Sequence, residues 1–216
     1  MKAILLPVKN FREAKTRLAP HYSPTARAKL AACLSEDMFR VVAGVRGIDR
    51  VFVVSQEPYA LALARRKGWE IIAETQQISE SRSVDAASRI CAERGVTALL
   101  RLPTDIPLVQ PADIEAIFGQ LEGRSCVLIP SRDGTGTNAL LRSPPMLFRS
   151  HFGPNSFTLH LEEARACGAQ ITTLRNPRIE LDIDDQDDLR ALNGRIPVDS
   201  KTAQWMNDDL VKQSAE

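Results

Sequence analysis

One alternation constrains this chain more than any other feature. Four short apolar runs, "KAILLPV", "RVFVVS", "WEIIAE" and "TALLRLP", are each followed by a longer stretch, and most of these carry apolar residues at helical spacing. Continuous apolar runs of this length suit strands covered on both faces. Strands that alternate with helices satisfy their apolar surfaces as a mostly parallel sheet with helices on both sides, an α/β fold. In such sheets ligands sit beyond the carboxyl ends of the strands. The loops after the strands are therefore where chemistry is expected.

The remaining elements follow from punctuation. Ser23-Pro24 supplies an N-cap and a proline in the first helical turn, and the stripe from Ala28 to Val41 carries that helix to about Val45. Strand "RVFVVS" (Arg50 to Ser55) leads to a short helix closed by Gly68, and the helix over "SVDAASRICAERG" is closed by Gly95. "PADIEAIFGQL" reads as a helix, "SCVLIP" (Ser125 to Pro130) as a strand that turns at Asp133-Gly134 into another. "PNSFTLHLEEARACG" reads as a helix, "QITTLR" and "RIELDI" as strands, and "DDQDDLRALN" as a helix. "NFREAKTRLAP" reads as a loop. The organisation expected is one domain over residues 1–195 and a tail, 196–216, with room for one helix.

Composition excludes several classes. The 216 residues carry 28 basic and 27 acidic groups, a net charge of +1, which argues against binding nucleic acid by phosphate neutralisation. No stretch approaches a membrane span. Cys33, Cys91, Cys126 and Cys167 are scattered through apolar contexts without metal spacing, as reduced core residues of a cytoplasmic protein would be. The three histidines share no spacing, and His160 is at most a distant site candidate.

Five stretches carry possible chemistry. "PVKNFREAKTRLAP" puts Lys9, Arg12, Lys15 and Arg17 after the first strand, where a cationic loop can grip a triphosphate or simply be a solvated surface. No GxGxxG or P-loop pattern follows that strand, which argues against kinases, P-loop NTPases and ordinary dinucleotide enzymes. "TDIPL" places Asp105 at the end of the fourth strand, as a turn residue or a metal ligand. In "LDIDDQDDL", Asp182 and Asp184 fall on one face of a strand and repel unless a cation joins them, whereas Asp185, Asp187 and Asp188 suit a helix's first turn. Magnesium needs only one or two carboxylates plus phosphate oxygens and water, so Asp105 with Asp182 would suffice. "DGTGTNALL" offers amides and hydroxyls around Thr137, and "FGPNSF" sets Gly153 before a helix whose first amides are free for an anion or for capping by Asn155 or Ser156.

Together and in this order, "PVKNFREAKTRL", "PTDIPL", "DGTGTNALL", "FGPNSFTLH" and "LDIDDQDDL" resemble the 2-phospho-L-lactate guanylyltransferase family, MobA-like nucleotidyltransferases of coenzyme F-420 biosynthesis. The resemblance implies a single Rossmann-like, three-layer nucleotidyltransferase domain, GTP as substrate with Mg2+ as cofactor, and a homodimer. It implies Asp105, Asp182 and Asp184 as metal carboxylates, with Asp105, Lys15 and Arg17 catalytic. Pro7, Val8, Lys9, Lys15, Arg17, Ser83 and Asp85 would line the nucleotide side. Thr137, Gly153 and Ser156 would contact the small phosphorylated acid, which in this family is 2-phospho-L-lactate, phosphoenolpyruvate or 3-phospho-D-glycerate. One departure stands out: "SRSVDAAS" puts Asp85 where relatives carry asparagine, an added carboxylate facing an anionic substrate unless Arg82 or the metal compensates. Another MobA-like nucleotidyltransferase and a non-catalytic nucleotide-binding regulator remain open alternatives.

Overall fold

In the computed structural model, residues 1–76 and 78–213 are described. Strand β1 (Lys2–Val8) is buried from Ala3 to Val8. Its alternate side chains serve two cores. Ile4, Leu6 and Val8 pack with α1 (Pro24–Ala43), α2 (Pro58–Arg66) and α4 (Pro111–Phe118). Ala3 and Leu5 pack on the opposite face with α3 (Glu80–Glu93). This is why the sequence shows a solid apolar run instead of alternation.

Seven strands form one sheet in the order β3-β2-β1-β4-β6-β5-β7. β2 (Arg50–Ser55), β3 (Glu70–Ala73) and β4 (Ala98–Arg101) run parallel to β1. The chain fills β1, β2 and β3 outward in one direction, then returns to place β4 on the other side of β1. That reversal opens a crevice at the carboxyl ends of β1 and β4. β5 (Ser125–Pro130) and β6 (Thr137–Ser143) form an antiparallel hairpin, β6 also runs antiparallel to β4, and β7 (Gln170–Thr173) runs parallel to β5. Helix α5 (Ser156–Ala166) covers the hairpin on the α3 side.

Several boundaries differ from the sequence expectation. The loop after β1 contains two 3-10 turns, Phe11–Glu13 and Thr16–Leu18, the first capped by the Asn10 side chain. Helix α1 stops at Ala43 because Gly44 ends it, and α3 starts at Glu80, one turn early, because Ser79 caps the Arg82 amide. "RIELDI" is not a strand. Its backbone is satisfied from elsewhere: the Asn138 amide donates to the carbonyls of Ile179 and Glu180, and Ile183 N–H donates to the Asp105 carbonyl. A ladder partner is therefore unnecessary.

Helix α6 (Gln186–Ala191) begins in a capping box between Asp185 and Asp188. Helix α7 (Lys201–Gln213) docks on α1, where Asp37 accepts from the Lys201 and Thr202 amides and from the Thr202 hydroxyl. Trp205 shares one apolar cluster with Leu18 and Ile183, which adjoin Arg17 and Asp182. Among the described residues no helix is long and apolar enough to cross a membrane.

Candidate active site

A cavity of about 720 Å³ opens at the carboxyl ends of β1 and β4. Its charged wall comes from the loop after β1, the loop after β4 and the segment before α6. Lys15 stands at φ 56°, a left-handed backbone uncommon for a residue with a side chain. That turn drives its ammonium inward, 2.5 Å from Asp105 Oδ2, with a second hydrogen bond to the Ile183 carbonyl and Asp184 at 3.9 Å. Arg17 reaches Asp184 Oδ2 at 3.0 Å from a solvent-facing position. Lys9 is exposed and lies 3.7 Å from Glu80. Pro7 and Val8 form the cavity floor at the end of β1.

The carboxylates influence one another strongly. Burial raises the Asp105 pKa, but the Lys15 charge and hydrogen bond and the Arg101 charge outweigh it, so Asp105 is held ionised below the usual range. Lys15 is the mirror case: burial opposes its charge, and Asp105 with Asp184 more than restores it. Among the described residues Asp182 has no cation in hydrogen-bond contact. Burial and the neighbouring Asp105 charge push it up to about 6, against a 3.1 Å hydrogen bond from Asn138. Asp184 is also raised, by burial first, with Lys15 pulling the other way.

The opposite wall is nearly neutral. At the hairpin tip Asp133 accepts from the Ser131 and Thr135 hydroxyls and from the Thr135 amide, which holds it down to about 2. Gly136 is required there, since a Cβ would lie 2.8 Å from Ser131 Oγ. Thr137 Oγ1 is 3.0 Å from His160 Nδ1 and 3.3 Å from Ser156 Oγ. Gly153 (φ 129°) and Asn155 (φ 56°) bend the chain into α5, and neither the Asn155 nor the Ser156 side chain caps that helix.

The cavity thus gathers Pro7, Val8, Lys9, Lys15, Arg17, Asp105, Thr137, Gly153, Ser156, Asp182 and Asp184. It does not gather Ser83 and Asp85. Ser83 is buried inside α3. Asp85 accepts from the Ser150 amide at 3.1 Å and lies 3.6 Å from buried Arg142, so its charge is answered by the protein away from the cavity. The expectation that Asp85 opposes an anionic substrate is corrected on that ground.

Sequence reasoning passed over Arg101, Glu80, Phe152 and Asn138, all on the cavity wall. Arg101 is buried at the end of β4, hydrogen-bonded to Glu80 and to the Thr137 and Asn138 carbonyls, with its guanidinium 4.1 Å from the Phe152 ring centroid. Burial lowers its pKa to about 10, so it stays charged. An arginine inside the apolar run "ALLRLP" was the available signal.

Opposed cations and carboxylates at the switch point of an open α/β sheet suit a phosphorylated ligand and its counter-ion. The fold agrees with solved structures. A Desulfovibrio desulfuricans G20 protein assigned to the nucleotide-diphospho-sugar transferases superposes with a TM-score of 0.76 at 19% identity, covering 98% of this chain and 97% of that one. A cytidylyltransferase of Leptospira borgpetersenii gives 0.60 at 12% identity, covering 99% and 94%. The sequence places the chain more narrowly. Residues 1–196 match the model of the "Guanylyl transferase CofC like" family, and the chain belongs to that family. A phosphoenolpyruvate guanylyltransferase of Rubrobacter xylanophilus is 36% identical over 191 residues, 87% of this chain and 91% of that protein. A 2-phospho-L-lactate guanylyltransferase of Methanothermobacter thermautotrophicus is 31% identical over 185 residues, 86% and 81%.

Proposed function

We propose that this guanylyltransferase moves GMP from GTP to the phosphate of a small phosphorylated carboxylic acid and releases pyrophosphate, a step of coenzyme F-420 biosynthesis. The acceptor class is phosphoenolpyruvate, 2-phospho-L-lactate or 3-phospho-D-glycerate. The observation that carries the reading is the single cavity in which Lys15, Arg17, Asp105 and Asp182 face the hydroxyls of Thr137 and Ser156.

An acceptor phosphate oxygen attacks the α-phosphorus, a new O–P bond forms, and the bond to the β-phosphate oxygen breaks. A phosphate monoester is largely dianionic at neutral pH, since its second pKa is about 6. No general base is needed, and neither His160 nor a buried thiol is set up as one. Burial pulls His160 down to about 3 and pushes the Cys33, Cys91 and Cys126 thiols up to about 11, 12 and 11. The work left to the protein is positioning and charge neutralisation. Lys15 and Arg17 would stabilise the departing pyrophosphate, and Thr137, Gly153 and Ser156 would seat the acid.

The charged wall fits Mg2+. Its free donors are carboxylate oxygens, and the ammonium of Lys15 already stands among them as a cation. Among the described residues no three acidic, histidine or cysteine side chains are set to hold an ion by themselves, so phosphate oxygens and water would have to complete its shell. Asp105 and Asp182, with Asp184 beside them, would hold it. When bound, it would neutralise charge growing on the transferring phosphate. The same reading takes the working form as a cytoplasmic homodimer, which sedimentation of the purified protein checks.

The test is 31P NMR of GTP, Mg2+ and each acid with the enzyme. Paired diphosphate resonances linking guanosine to the acid support the proposal. GTP left intact with all three acids contradicts it.

A further inference from the structure

His160 is a buried polar side chain that the mechanism leaves without a task. It is fully buried beneath the neutral wall, on α5. Both ring nitrogens are engaged. The His151 backbone N–H donates to Nε2 at 2.8 Å, and Nδ1 meets Thr137 Oγ1 at 3.0 Å. A neutral imidazole carries one N–H, and a nitrogen that accepts cannot hold it. The proton is therefore on Nδ1, which donates to Thr137.

The consequence falls on the hydroxyls. Thr137 Oγ1 and Ser156 Oγ are 3.3 Å apart and both line the cavity. They own two hydrogens, and one is used between them. Because Thr137 already receives the His160 proton, the second hydrogen has no acceptor among the described residues and is left for the cavity. With the opposite tautomer, Thr137 would donate back to the ring, Ser156 would donate to Thr137, and the pair would offer an anion only lone pairs.

We propose that His160 is a positioning residue that fixes the Thr137–Ser156 pair as a hydrogen-bond donor toward the anionic acceptor. The inference rests on the reading of this wall as the acceptor's side. Burial, with the nearby Arg142 charge, keeps a second proton off the ring at neutral pH, which preserves the acceptor role of Nε2. The edge of the Phe152 ring, with centroids 5.0 Å apart, helps hold the imidazole's orientation.

The experiment compares H160N, whose side-chain amide reproduces the Nδ1 donor, with H160Q, which reaches the Nε2 position and lacks that donor. At saturating GTP, H160Q raises the acceptor KM on the order of tenfold, the effect of losing one hydrogen bond to a charged group, while the GTP KM holds. H160N keeps the acceptor KM within about threefold of wild type. Equal acceptor KM changes in the two variants, or a GTP KM that moves as far, overturn the proposal. Nitrogen-15 NMR of the wild-type imidazole provides a readout independent of turnover: the Nδ1–H tautomer supports the proposal and Nε2–H overturns it. A wild-type enzyme silent with every acid would overturn the acceptor reading itself, and the tautomer measurement would still decide the orientation.

Discussion

The two walls of the cavity differ in their electrical means, and each would meet an anionic ligand in its own way. On the side of β1, β4 and the 182–184 segment, two cations and three carboxylates crowd together. Each shifts its neighbour, and Asp182 is left without a counter-charge in contact. On the side of β6 and α5, the one carboxylate named, Asp133, is spent on its own turn, and the groups left are hydroxyls, a neutral imidazole and backbone. The first wall stores electrostatic strain that a polyphosphate and its cation would relieve. The second spends nothing on charge and relies on fixed hydrogen positions. Arg101, buried at the junction, touches both: its charge lowers Asp105, and its guanidinium donates to the Thr137 carbonyl.

The largest change comes from breaking the charged wall. Asp105→Asn leaves the Lys15 ammonium buried beside a neutral partner. Turnover falls about 100-fold or more, and the loss of a buried pair costs up to about 3–5 kcal/mol of stability. Pyrophosphate release and urea unfolding read the two effects. A variant with near wild-type turnover would remove Asp105 from the chemistry.

Asp182→Asn sharpens the contrast because its two readouts diverge. Folding raises this carboxyl to about 6. A raised acid favours folding below its unfolded pKa and loses that advantage as pH climbs through the folded value. At pH 7 the ionised group is thus a liability without metal. Its removal stabilises the metal-free protein by about 1–3 kcal/mol while turnover collapses. Urea midpoints at pH 7 that fall on substitution would show that Asp182 carries no such strain.

The neutral wall gives a smaller, pH-dependent effect. His160 is lowered from about 6.5 to about 3 in the fold. The unfolded chain therefore binds its proton first, and stability declines as pH falls through that window, at no more than about 1.4 kcal/mol per pH unit. H160Q flattens this slope between pH 6 and pH 4 (about two units), as urea midpoints would show. An unchanged slope would mean that His160 is not held neutral.

The smallest effect is expected outside both walls. Asp85→Asn keeps its contact with the Ser150 amide and weakens only the pairing with Arg142. Stability drops by about 1 kcal/mol and the acceptor KM stays within about twofold. A tenfold KM change would return Asp85 to the site.

The fold and the charged wall were legible in the sequence for different reasons. Two-sided burial writes each parallel strand as a solid apolar run, and Ser23-Pro24, Gly68 and Gly95 mark helix ends by local chemistry. Asp105 was marked by its place at the end of the fourth apolar run, and Lys15 by the cluster of cations that follows the first. What failed was of a different kind. "RIELDI" has strand composition, but its backbone partners are Asn138, Asp105 and Lys15, all distant in sequence. Ser83 and Asp85 sit beside site residue Glu80 along the chain, but one turn of α3 carries them out of the cavity. His160 lacked a signal because its role depends on a backbone amide and a hydroxyl that only folding brings to the two edges of its ring.

The central claim is tested most directly by pyrophosphate release from GTP and Mg2+ with phosphoenolpyruvate, 2-phospho-L-lactate and 3-phospho-D-glycerate in parallel, wild type beside Asp105→Asn. The account predicts release that requires one of these acids and is lost in the variant. Acid-independent release, or none with any of the three, would contradict it.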